Sequence, residues 1–260
     1  MICVGTAGFK YKDWKGPFYP PELKDREMLS FYAQHFSTVE LDFTYYHLPT
    51  ARTMAGIEAK TPKQFQFTVK AHRTMTHEIP SDEGERKDIF GRFAEALVPL
   101  TDAGKLGCVL VQFPWSYRPE SRKRDYVLSW PQRLPDVPLV VEFRHTDWLV
   151  QDTFRALMDH RIGFCCVDEP RLPGLLPPLA ICTSPVAYVR YHGRNARKWW
   201  NHQTASERYD YLYSSEELEE WLGRIHELAS KATTTYIVFN NCHDGHAATN
   251  ARMMQALLSN

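Results

Sequence analysis

Short apolar runs rich in β-branched residues recur along the chain. They are "ICVG" (2–5), "TVELDF" (38–43), "FQFTVKA" (65–71), "GCVLVQF" (107–113), "LVVEF" (139–143), "GFCCVD" (163–168), "VAYVRYH" (186–192) and "TTYIVFN" (234–240). They follow one another at steps of roughly 33 residues, the length of a βαβ unit. The intervening segments 26–36, 89–100, 153–160, 216–230 and 251–258 place apolar residues at helical spacing. Ser214 or Ser215, ahead of Glu216 and Glu217, supplies an N-cap signal. One step breaks the rhythm. Residues 169–185 hold five prolines and no helical period, which predicts an irregular connection.

Eight strands alternating with helices, with no flexible linker or low-complexity break, predict a single-domain (β/α)8 TIM-like barrel over 1–260. A doubly wound open sheet is the competing arrangement. The glycine fingerprint G-x-G-x-x-G that such a sheet commonly carries after its first strand is missing.

Period-two alternation then sorts each run into two faces. If bulky apolar residues face the helices, the inward set is Glu40 and Asp42, Thr68 and Lys70, Gln112, Glu142 and Arg144, Asp168, Arg190 and His192, and Asn240. In the sixth run this parity takes Phe164 and Cys166 inward with Asp168. Polar inner residues thus gather near the C-terminal ends of seven of the eight strands, where active sites of this fold lie. The structural alternative is a charged plug in which Glu40, Asp42, Glu142 and Asp168 pair with Lys70, Arg144 and Arg190. Burial without partners is too costly for some pairing to be avoided.

Composition narrows the function. Of the 260 residues, 43% are apolar and 24% charged, as in a water-soluble domain. Lys+Arg and Asp+Glu both number 31, so bulk electrostatics cannot hold nucleic acid and only a local patch is available. No apolar run approaches the ~18 residues of a membrane span, and the N-terminus reads as a strand rather than a signal peptide. The six cysteines include no C-x-x-C pair and fall mostly in apolar runs, which suits a reducing cytoplasm.

Several stretches, "GTAGFKYKDWKGPFYP" (5–20), "VELDFTYYHLP" (39–49), "FTVKAHRTMTH" (67–77), "VQFPWSY" (111–117), "VEFRHTDW" (141–148), "YVRYHGR" (188–194) and "FNNCHDGHAATNA" (239–251), carry a resemblance. Through them the chain resembles the YecE-like proteins, also called domain of unknown function seventy-two, over nearly its whole length. Ala7 and Phe9 depart from the usual Gly-Thr-Ser-Gly-Trp start, Asp42 stands where Asn is commoner, and Trp115 where a second Pro is usual. The resemblance implies a TIM-barrel-like fold and no established reaction. Some members have been likened, on fold alone, to endonuclease-IV-type barrels.

The constellation suggests chemistry on an anion. Lys70, Arg144, Arg190 and His192 suit a phosphate or carboxylate. Glu142 and Glu40, desolvated and near like charges, are candidates for raised pKa values and general acid–base roles, with His192. Asn240, Asn241, Asp42, Gln112, Asp168 and His145 are candidate substrate contacts, and Tyr11 and Trp14 a wall over the mouth. The first expectation is an enzyme, by hydrolysis, on a phosphorylated or other anionic substrate. A second is a nucleic-acid binder or phosphodiesterase using the cations and aromatics of 190–202, with 118–124 as a further basic loop. A third is a non-catalytic binder of an anionic metabolite. The cofactor is left open. His145, His192, His243 and His246 with Glu40, Glu142 and Asp168 are divalent-metal donors in kind, but Lys70, Arg144 and Arg190 oppose a cation, so no metal is expected.

Overall fold

All eight apolar runs form strands: β1 (Ile2–Ala7), β2 (Thr38–Leu41), β3 (Gln66–Lys70), β4 (Leu106–Gln112), β5 (Leu139–Glu142), β6 (Gly163–Asp168), β7 (Val186–Tyr191) and β8 (Thr234–Phe239). In this computed structural model, which describes residues 1–259, they pair in parallel and in chain order, and β8 closes on β1. The helices are α1 (Met28–Tyr32), α2 (Ala51–Glu58), α3 (Arg73–Thr76), α4 (Glu83–Asp102), α5 (Ser121–Leu128), α6 (Trp130–Arg133), α7 (Gln151–Asp159), α8 (Ser215–Glu219), α9 (Leu222–Lys231) and α10 (His246–Ser259). The fold is the (β/α)8 barrel that the spacing predicts. Among the described residues no helix is long and apolar enough to cross a membrane.

Local chemistry explains the elements. Ser214 caps α8 in a capping box with Glu217, and Asp82 caps α4 by accepting from the Glu85 amide at 2.7 Å. Residues 169–185 contain no helix, as their prolines dictate. Four helices, α2, α3, α5 and α6, lie outside the periodic segments, and α3 and α6 are only four residues long. α2 buries only Met54, and α5 buries only Val127, so 121–124 is the first turn of a helix rather than a basic loop.

Parallel register fixes which side chains face inward, because paired residues share a face. Ala7 pairs with Glu40, Glu40 with Thr68, Thr68 with Cys108, and Gln112 with Glu142. Val167 pairs with Arg190, Arg190 with Val238, and Val238 with Gly5. These residues line the interior. The outer face packs on the helices. There Phe143 stacks on Trp148 at 4.0 Å between ring centroids, and Phe113 stacks on Tyr117 at 4.1 Å.

The same register corrects the sixth strand. Asp168 pairs with Tyr191, whose ring packs outward on Trp221, Tyr213 and Phe239. Asp168, Cys166 and Phe164 therefore face the helices, and Cys165 faces the interior, 3.8 Å from Glu142. Asp168 accepts from Arg194 at 2.9 and 2.8 Å, from the Tyr213 hydroxyl at 2.8 Å and from the Trp221 indole at 2.7 Å. A carboxylate with four donors has no need of the interior.

Small residues let the barrel close. A Cβ added to Gly5 would lie 2.1 Å from the Thr38 carbonyl oxygen, backbone against backbone. Gly5→Ala is therefore expected to prise β1 from β2 and to cost about 3 kcal/mol, read as a lowered midpoint in urea unfolding.

Candidate functional site

At the C-terminal ends of the strands, the interior residues form one connected charge network. Arg190, 1% exposed, donates from Nη1 to Glu142 at 2.8 Å and from Nη2 to Glu40 at 2.7 Å. Glu40 also accepts from the Tyr188 hydroxyl at 2.9 Å, and Tyr188 shares a 2.8 Å hydrogen bond with Thr68. Glu142 meets Arg144 Nε through its other oxygen, which also faces His192 Nε2 at 3.2 Å. Asn240 donates to His192 Nδ1 at 3.1 Å, which assigns the ring proton to Nε2 and directs it at Glu142. The Asn240 carbonyl oxygen faces Arg190 at 3.4 Å.

This arrangement splits the two carboxylates. Burial raises the Glu142 carboxyl, but Arg144, Arg190 and His192 outweigh it and hold it well below the ordinary range. Glu142 is thus a fixed anion, and the upward shift expected of it does not occur. Glu40 is raised by burial in spite of Arg190 and Lys70, in the expected direction. Burial, with Arg144 beside it, drives the His192 imidazole down to about 3, so the ring is neutral.

Above the network lies a two-lobed cleft. One lobe, about 320 Å³, is bordered by Tyr11, Asp42, Lys70, Arg144, Arg190 and Asn240, with Tyr209 and His243 at the rim. The other, about 270 Å³, is walled by Tyr45, Trp115, Trp200, His77 and Gln112. Tyr46, Lys70, Arg144 and Tyr209 belong to both lobes. Lys70 forms no ion pair among the described residues. Its ammonium lies 4.6 Å over the Tyr45 ring, and burial pushes its pKa down. Asp42 accepts from Tyr11 at 3.3 Å, and burial raises its carboxyl. Burial raises the Tyr209 phenol, but Arg144, Arg208, Lys70 and Arg190 together bring it below the ordinary value.

Not every expected residue reaches this cleft. Asp168 is on the outer face. Asn241 is buried beneath the mouth, donating to the Tyr211 carbonyl at 2.8 Å and to Asn250 at 2.9 Å. His145 caps the 146–148 turn by accepting from the Asp147 amide, and sits beside Arg118. Trp14 is fully buried against Phe18 and Tyr19, its indole donating to the Cys242 carbonyl at 2.7 Å. It anchors the first loop, while Tyr11 alone of that pair lines the mouth. Gln112 reaches the second lobe, its amide held by the Phe113 carbonyl. The 190–202 cations are largely spent: Arg194 faces Asp168, Glu217 and Glu220, and Lys198 pairs with Glu207.

Among the residues unread in the sequence are Glu169 and Tyr209. Glu169 lies 3.6 Å from Arg144 and accepts from the Leu176 amide, and burial raises its carboxyl to about 7. Its only signal is its position one residue past β6. Tyr209 comes from a short turn with no periodicity to mark it.

Residues 3–260 match the family described as "Protein of unknown function DUF72", and the chain belongs to that family. It is 32% identical, over 99% of its length and 95% of the relative's, to "UPF0759 protein YunF" of Bacillus subtilis. Among solved structures, a DUF72 family protein of Thermotoga maritima is 40% identical with a TM-score of 0.92, both chains being fully covered. One of Enterococcus faecalis is 26% identical with a TM-score of 0.87, covering all of this chain and 96% of that one.

Arg190 is the residue on which the network turns. Arg190→Met would leave Glu40 and Glu142 buried without their shared partner, at an expected cost of about 3–5 kcal/mol at pH 7. The native Glu142 pKa lies below its unfolded value near 4.5, so its contribution is complete above that pH and fades as pH falls through the native value. In the variant both carboxylates would shift upward, so the deficit should shrink as the urea titration is moved from pH 7 to pH 5.

Proposed function

We propose that the cleft binds a small phosphorylated or otherwise anionic substrate, gripped by Lys70 and Arg144, and that Asp42 serves its hydrolysis by transferring a proton. The observation that carries this reading is the unpaired Lys70. Arg190 is saturated by two carboxylates, whereas Lys70 faces both lobes with no acid in contact. A cation left without a partner at a half-buried site is a standing demand for an anion. Arg144 adds a guanidinium whose Nη1 lies 3.6 Å from Glu169, and burial raises the Glu169 carboxyl to about 7.

The general-base role expected of Glu142 passes to Asp42 for a geometric reason. Glu142 and His192 are sealed from solvent and face one another at 3.2 Å, while Asp42 borders the cavity with its carboxyl raised. Glu142 and Glu40 then act as positioning residues that fix Arg190 and Arg144. The second lobe gives the substrate a body. Trp115 and Trp200 meet at 5.4 Å and are 37% and 51% exposed, a surface suited to a sugar or planar ring. The spent cations of 190–202 leave little basic surface for a nucleic-acid polymer.

Sulfate, whose charge is constant from pH 6 to 8, tests the grip. Lys70→Met is expected to weaken sulfate at least tenfold, about 1.4 kcal/mol, by calorimetry. Affinity should rise several-fold from pH 8 to pH 6 as Glu169 takes up its proton and releases Arg144, and Glu169→Gln should flatten that rise. Equal sulfate affinity in Lys70→Met would refute the anion site. Trp200→Ala should weaken ring-bearing phosphates and leave sulfate unchanged. Asp42→Asn should lower turnover across a phosphate-ester panel with little change in binding; turnover as fast as wild type would remove Asp42 from the chemistry.

A further inference from the structure

Beside the first lobe, three side chains from separate elements converge. Asp210 follows the 205–209 turn, His243 opens the turn after β8, and His246 is the first residue of α10. Asp210 Oδ1 lies 3.3 Å from His243 Nδ1 and 3.7 Å from His246 Nδ1. One donor atom from each residue lies within 4.8 Å of the other two. The backbone between the histidines is unusual. Asp244 has φ of 49° and Gly245 φ of 76°, two successive left-handed residues, and the first carries a side chain. That reversal sets the two rings 5.9 Å apart, centroid to centroid.

Mutual hydrogen bonding does not account for the cluster. No hydrogen bond joins any two of the three side chains among the described residues, and His246 Nδ1 is a buried atom with no partner. The three donor atoms thus lie within reach of one common ligand without satisfying one another. We infer that Asp210, His243 and His246 form a binding site for one divalent transition-metal ion, Zn2+ in the first instance.

Donor type and spacing both select the ion. Two imidazoles and one carboxylate make a borderline donor set that favours Zn2+ or Co2+ over Mg2+ or Ca2+. Donors roughly 2.05 Å from an ion at tetrahedral angles stand about 3.3 Å apart, close to the two separations seen. Three protein donors leave a fourth position free, the pattern of catalytic rather than structural zinc. His243 borders the same cavity as Arg144 and Arg190, so that fourth position adjoins the cleft. The cations that oppose a metal at the barrel floor do not belong to this cluster. A further carboxylate stands by it, since Asp13 accepts from the Asp244 amide at 2.7 Å.

The test uses tag-free, chelator-treated full-length protein titrated with Zn2+ and with Co2+. One equivalent per chain is expected at micromolar affinity or tighter, with the visible absorption of four-coordinate Co2+. Asp210→Asn and His246→Ala should each weaken Zn2+ at least tenfold. Thermal melting without metal verifies that the variants fold, and these half-exposed positions are expected to leave it unchanged. Absence of stoichiometric binding, or undiminished affinity in the double variant His243→Ala/His246→Ala, overturns the site. The sulfate experiment needs no metal, so the anion reading and the metal site fail separately.

Discussion

One guanidinium ties the barrel together electrostatically. Arg190, near the end of β7, reaches across the interior to carboxylates on β2 and β5, three strands away on one side of the closed sheet and two on the other. Each of the three groups is nearly inaccessible to water, and none is tolerable there alone. Their mutual dependence dictates the surroundings. Tyr188 must offer its hydroxyl to Glu40, Asn240 must fix the His192 tautomer, and Arg144 must satisfy the outer oxygen of Glu142. A buried ion pair is weak evidence for stability as such, since an apolar core does as well. Here it links residues of β2, β5 and β7 beneath the cleft.

That linkage divides the charges of the mouth into two classes. Glu142 and Arg190 neutralise each other and cannot respond to a ligand without breaking the barrel floor. Lys70, Asp42 and Tyr209 lie above them with shifted pKa values and few bonds. The shifts share one origin: burial beside fixed charges of both signs. A phenol pulled down and a carboxyl pushed up within one cleft stand closer in proton affinity than the free groups do.

The strand spacing and the two-face alternation made the barrel and most of its interior legible, because a closed parallel sheet obeys period two on every strand. Glu40, Lys70, Gln112, Glu142, Arg144, Arg190, His192 and Asn240 were placed by that rule alone. It failed at β6, where Phe164, Cys165, Cys166 and Val167 are all apolar enough for either face, so Asp168 alone decided the parity. Its carboxylate found better donors among Arg194, Tyr213 and Trp221 outside. Asn241, His145 and Trp14 sit in turns, where no period applies and direction depends on backbone reversals invisible in a sequence. The pKa of Glu142 was misjudged for a related reason: residue type shows that charges gather, and only geometry shows that three donors reach one carboxylate.

Family likeness bears differently on these layers. Gly5, Glu40, Glu142, Arg190 and Asn240 all lie in the stretches that carry the resemblance, and all belong to the closed barrel or its charge network. The similarity to the Thermotoga maritima structure is one of the whole fold, at a TM-score of 0.92. The walls are another matter. Tyr209, Trp200 and Arg208 come from the 195–213 segment, outside those stretches, and they line the cleft. The segment is held by its own pairs, Lys198 with Glu207 and Arg208 with the Trp199 carbonyl, and by bonds to the barrel, from Asn241 to the Tyr211 carbonyl and from the Tyr213 hydroxyl to Asp168. The fold and the family thus leave the reaction to be read from the site itself.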